Sequence, residues 1–177
     1  MKNKSERYIP LVVSVGQVAI FPYYIIWLKQ ASITFTLFAW LFAAFSFTAA
    51  LGYRIFQSKK NTSSFIPFIY MGMGSLYVLV SILSNSFEFL PYIALLIQVI
   101  LGFLQGYYHA WHIERKAYRL HAVNHYLLVG SVMVVLSFVK ILSPVIIISA
   151  FGGVLFMIGF GLAWVTQVTC IELDDVK

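Results

Sequence analysis

Residues 98–125, QVILGFLQGYYHAWHIERKAYRLHAVNH, leave one strongly apolar run, cross a short basic loop and enter a second apolar run. Apolar runs joined this briefly are expected to pack as neighbouring antiparallel helices. The stretch also holds all four histidines, His109, His112, His121 and His125, beside Glu114, Arg115, Lys116 and Arg119. Most of the polar chemistry of the chain is gathered here, so the solvent suited to these apolar runs decides the fold.

That solvent is lipid. Of the 177 residues 61% are hydrophobic and only 10% are charged, and the mean hydropathy is +0.88. A water-soluble domain carries about 25% charged residues, so this chain has too little polar surface to face water. Working outward from the opening stretch, apolar segments of spanning length fall at about 8–28, 33–56, 65–84, 89–110, 122–141 and 144–169; roughly 20 helical residues cross a hydrocarbon core. The expected fold is all-α, a polytopic membrane protein of six transmembrane helices, with residues 1–177 forming a single transmembrane domain. The N-terminal basic-then-apolar stretch has no small-residue cleavage pattern and is expected to be a retained first span.

Helix punctuation fits these limits. Pro10, Pro67, Pro91 and Pro144 are expected in first turns, where a missing N–H costs little. Pro22 lies well inside span one and is expected to free a carbonyl and kink the helix. Of the twelve Lys and Arg, only Lys29 and Lys140 fall on one side of the expected bilayer. The rest share the side of both termini, which predicts N-in/C-in in the cytoplasmic membrane. Basic residues spread along apolar runs form no nucleic-acid patch, so the expected partners are membrane lipid, a second copy or another membrane protein.

Small residues mark expected packing faces. Gly102-x-x-x-Gly106 and Ser149-x-x-x-Gly153, with Gly152, allow close backbone approach. Span one reads Pro10-x6-Gln17-Val18 and span four Pro91-x6-Gln98-Val99, each followed by a tyrosine pair, Tyr23-Tyr24 and Tyr107-Tyr108. This outlines a three-helix repeat, a device common in transporters.

The order of spans, the loop Ala49-Ala50-Leu51-Gly52-Tyr53-Arg54 leading to Lys59-Lys60, and Gln98 four residues before Gly102 together resemble the N-terminal six-helix half of a major facilitator superfamily transporter. The resemblance implies a half-MFS-like helical bundle that binds or moves a small molecule. It departs from the family in two places. The loop lacks an acidic residue, which argues against charge-relay gating, and Gln98 replaces an arginine, which argues against proton coupling there. Six spans are half of the family's set, so alternating access would require a homodimer or a membrane partner.

The intramembrane polar residues Gln17, Gln98, Gln105 and Asn124, with Pro22, are the candidate cavity or ligand positions. The expected ligand is apolar or amphipathic, because no acid or base lies at mid-span as ion coupling requires. For His109, His112, His121 and His125 three readings stay open: interfacial side chains, a pH-sensitive or anion-binding patch, and ligands for haem or a divalent metal, for which i,i+3 and i,i+4 spacings are suitable. No cofactor is otherwise expected. Arg115, Lys116 and Arg119 fit lipid headgroups and topology determination. No nucleophile triad, paired carboxylate, phosphate loop or zinc-protease helix occurs, so an enzyme is not expected. The competing functional class is a membrane accessory, immunity, assembly or sensor subunit.

Overall fold

A computed structural model describes residues 5–30, 33–58, 65–83, 89–114, 122–138 and 143–174, with side chains at 9–29, 33–58, 65–83, 89–113, 127–135 and 143–164. All regular structure among these residues is helical: α1 Ser5–Gln30, α2 Phe35–Ser58, α3 Ile66–Ile82, α4 Leu90–Glu114, α5 Ala122–Phe138 and α6 Pro144–Asp174. Four stretches, Ile9–Lys29, Phe35–Ser58, Leu90–Ile113 and Pro144–Trp164, are long and apolar enough to cross a bilayer, and Ile66–Ile82 is a shorter apolar helix. A helix is the form that lets such a run satisfy its backbone internally where no water is available.

The helix ends follow local chemistry. Thr34 caps α2, its hydroxyl accepting from Leu37 N–H at 3.4 Å and its carbonyl from Phe38 N–H at 2.9 Å. Ser143 caps α6 in the same way, accepting from Ile146 N–H, and Pro144 follows at the first helical position. Pro67 and Pro91 sit in the first turns of α3 and α4 as expected. Pro10 does not: α1 begins at Ser5 and runs unbroken through Pro10 and Pro22. Pro10 is buried, and its carbonyl accepts a hydrogen bond from Tyr108 Oη at 3.1 Å.

Two pairings dominate, α2 along α4 and α3 along α6, and not the chain neighbours expected from the short connections: among the described residues α4 and α5 make no substantial contact. Both dominant pairings depend on glycine. A methyl group on Gly52 would overlap the Phe103 carbonyl, one on Gly102 the Phe45 carbonyl and Thr48 hydroxyl, and one on Gly106 the Ala49 carbonyl. On the other seam Gly74 and Gly152 face each other: an added Cβ on Gly74 would lie 2.7 Å from Gly152 O, and one on Gly152 2.8 Å from Gly74 O. Gly159 lies equally close to the Pro67 carbonyl. Gly153, expected at this seam, instead faces open space. It is one position, and so about 100° of helix rotation, away from Gly152.

The core runs between α1, α3 and α4, through Trp27, Leu28, Tyr70, Met73, Ala94 and Tyr108. The outer faces are apolar and exposed. Trp40 is 66% exposed, Phe47 72%, Met157 69% and Trp164 63%. Water would not tolerate so much contiguous apolar surface, whereas hydrocarbon accommodates it.

Among the described residues, every substantial helix pairing is preserved when α1 is exchanged with α4, α2 with α5 and α3 with α6. The α2–α4 contact maps to α5–α1, α1–α6 maps to α4–α3, and α3–α6 maps to itself. The register that aligns Pro10 with Pro91 also aligns Gln17 with Gln98 and Tyr24 with Gln105. The tyrosine pairs do not share this register: Tyr108 aligns with Trp27, and both are fully buried.

Candidate functional site

Tyr108, late in α4, bonds Pro10, early in α1, while Tyr24, late in α1, lies beside Gln98, early in α4. The two helices therefore run antiparallel. Between them, with walls from α2 and α3, lies a recess of about 330 Å³. Its polar lining is Ser14, Gln17 and Tyr24 from α1, Tyr77 from α3, and Gln98, Gln105 and His109 from α4. Phe21, Phe42 and Phe45 form its aromatic wall, with Phe21 and Phe42 meeting edge to face at 5.5 Å.

Three of the five candidate cavity residues, Gln17, Gln98 and Gln105, converge on this recess. Each lies about 12 Å or more along its helix from either end. Their hydrogen bonds differ. Gln105 Nε2 donates to Tyr77 Oη at 3.1 Å, which joins α4 to α3. Gln17 Nε2 reaches only Met73 Sδ, at 3.5 Å, and thioether sulfur is a weak acceptor. Gln98 is 4% exposed and, among the described residues, is the buried amide of the core. Tyr24 is equally buried, and its hydroxyl, although beside Gln98, closes no well-formed hydrogen bond. A buried phenol left in this state costs free energy until something binds it.

Pro22 is exposed and does not line the recess. Asn124 is in α5, and its side chain lies outside the described residues. The histidines separate: His109 lines the recess, and His112 stacks on Tyr108 with ring centroids 6.1 Å apart. The side chains of His121 and His125 lie outside the described residues, as do those of Arg115, Lys116 and Arg119. Among the described residues, no group of three or more His, Cys, Asp or Glu is placed to hold a metal. The glycines of the α2–α4 seam, Gly102 and Gly106, lie on the same helix as Gln98 and Gln105 and hold α2, with Phe42 and Phe45, against the recess.

Sequence reasoning missed Ser14, Tyr77 and the phenylalanine wall, and it noted Tyr24 only as half of a tyrosine pair. A signal was present in α4. Gln98, Leu101, Gln105 and His109 are spaced three, four and four residues apart, a single stripe on one helical face. Nothing in the spacing of α3 marks Tyr77, because α3 is apolar all round and its orientation is set by the Gly74–Gly152 contact.

Compared with known protein families, with characterised proteins and with solved structures, the chain matches none.

Proposed function

We propose that this protein is a six-span, half-transporter-like integral membrane protein, with both termini on the cytoplasmic side. It binds a small apolar or amphipathic molecule in the recess between α1 and α4, and a second copy or a membrane partner completes the binding unit. The observation that carries this reading is the convergence of three mid-helix glutamines and two buried tyrosines on one recess inside an otherwise apolar bundle. Amides placed in hydrocarbon without partners are costly. A packing role alone would be met by the glycine seams, which need no amide. In support, the lining draws on helices from both halves of the three-helix repeat, and many repeat-built transporters bind their ligands between such halves.

The same geometry supports a partner. One chain supplies walls from α1 to α4 but leaves Phe21 and Trp40 exposed to the surroundings, and a polar recess open to lipid gains from being covered. The test is native mass spectrometry of the protein released from lipid nanodiscs. The expected spectrum shows a dimer or a heteromer carrying a non-lipid small molecule, and a Gln98→Leu/Gln105→Leu variant loses that molecule. A strict monomer with no ligand, identical in wild type and variant, would overturn the proposal.

A further inference from the structure

We infer that the ligand is an uncharged molecule with an aromatic body of one or two rings and at least one neutral hydrogen-bonding group, such as a carboxamide, ketone or alcohol. This rests on the reading of the recess as a binding site and goes on to name the class of molecule it takes.

The polar atoms of the lining are amide and hydroxyl groups of Gln17, Gln98, Gln105, Tyr24, Tyr77 and Ser14. None carries a formal charge. An ion held here would lack a counter-charge in a low-dielectric site, a penalty that short-range dipoles offset poorly. His109 is the one basic side chain of the lining, and no carboxylate lines the recess to hold a proton on its imidazole. It therefore acts as a neutral donor or acceptor alongside the amides. Amides offer both a donor and an acceptor, so their natural partner is a group that also offers both, or a carbonyl that takes the free N–H.

Two further observations narrow the class. Tyr24 Oη is buried and without a well-formed hydrogen bond, which leaves an O–H ready for a ligand acceptor beside the Gln98 amide. Phe21, Phe42 and Phe45 supply ring faces and edges, surfaces that favour an aromatic body over a hydrated polyol. The volume of about 330 Å³ is at the small end of ligand pockets, which run from about 300 to 1,000 Å³. That suits a molecule of one or two rings.

The test uses four probes that share one naphthalene body: 1-naphthamide, 1-naphthylmethanol, 1-naphthoate and 1-naphthylmethylammonium. Binding is read by probe fluorescence with the protein in zwitterionic nanodiscs at pH 7, after subtraction of empty discs. The amide and the alcohol are expected to saturate, at least about tenfold tighter than either ion, in line with the discrimination that a site of unpaired neutral donors and acceptors gives. Gln98→Leu, and separately Tyr24→Phe, should each weaken the amide by about tenfold. The second variant removes a single oxygen and guards against misfolding of the first. If an ion binds as tightly as the amide and is still weakened by Gln98→Leu, the ligand class is wrong and the site stands. If no probe saturates above empty discs and neither variant alters any signal, the site reading fails as well.

Discussion

The α2–α4 seam and the α1–α5 contact are equivalent when α1 is exchanged with α4 and α2 with α5, yet they are packed very differently. Along α2–α4, Gly52, Gly102 and Gly106 bring backbones together so closely that a methyl group at any of them would overlap a carbonyl across the seam. In the register that pairs Gln17 with Gln98, the α1 positions matching Gly102 and Gly106 are Phe21 and Ile25. Larger side chains stand where α4 has glycine. Among the described residues α5 lies against α1 only lightly, Gly130 faces open space, and Leu127, Val134 and Val135 are largely exposed. One seam has used its small residues to close, and the other keeps apolar surface free. In lipid, where helix association depends on close packing rather than on escape from water, that difference locates the firm and the loose side of the molecule.

The largest expected effect breaks the firm side. Gly106→Leu drives a side chain into the Ala49 carbonyl and should cost about 3 kcal/mol, the upper end for overpacking, read as a lowered unfolding midpoint in detergent. Gly152→Ala on the α3–α6 seam has only a methyl group to accommodate and should cost about 1–2 kcal/mol. Tyr108→Phe removes the bond to the Pro10 carbonyl and should cost about 1 kcal/mol. A double-mutant cycle of Gln105→Leu and Tyr77→Phe should return a coupling of about 0.6 kcal/mol, the usual size for a hydrogen bond between membrane helices. The smallest effect belongs to the loose side. Gly130→Ala should leave stability unchanged or raise it by up to about 1 kcal/mol, since alanine favours the helix and nothing lies in its way. Equal losses at Gly106 and Gly130 would refute the contrast between the two seams.

Much of the frame was legible in the chain because hydrocarbon imposes simple demands. Apolar runs become helices, and Pro67, Pro91 and Pro144 mark starts that the structure keeps. Pro10 misled because helix starts were read from proline alone, whereas the five preceding residues also take helical form. Gln17 and Gln98 could be matched by spacing, and their convergence follows from the antiparallel crossing of α1 and α4. The contribution of Tyr77 was hidden, since a uniformly apolar helix has no periodicity from which to read a facing side. Gly152 and Gly153 show the same limit: adjacent glycines are equivalent in sequence, and only the rotation of α6 against α3 selects the one at the seam.

The central claim is that the polar recess between α1 and α4 receives a small neutral molecule. Photoaffinity labelling in nanodiscs with an aryl-diazirine carboxamide, followed by peptide mapping, addresses it most directly. The account predicts that the label falls on α1 and α4 peptides around Tyr24 and Gln98 and is suppressed by excess 1-naphthamide or by Gln98→Leu. Label confined to lipid-facing positions such as Phe47 or Met157, and indifferent to both competitor and variant, would contradict it.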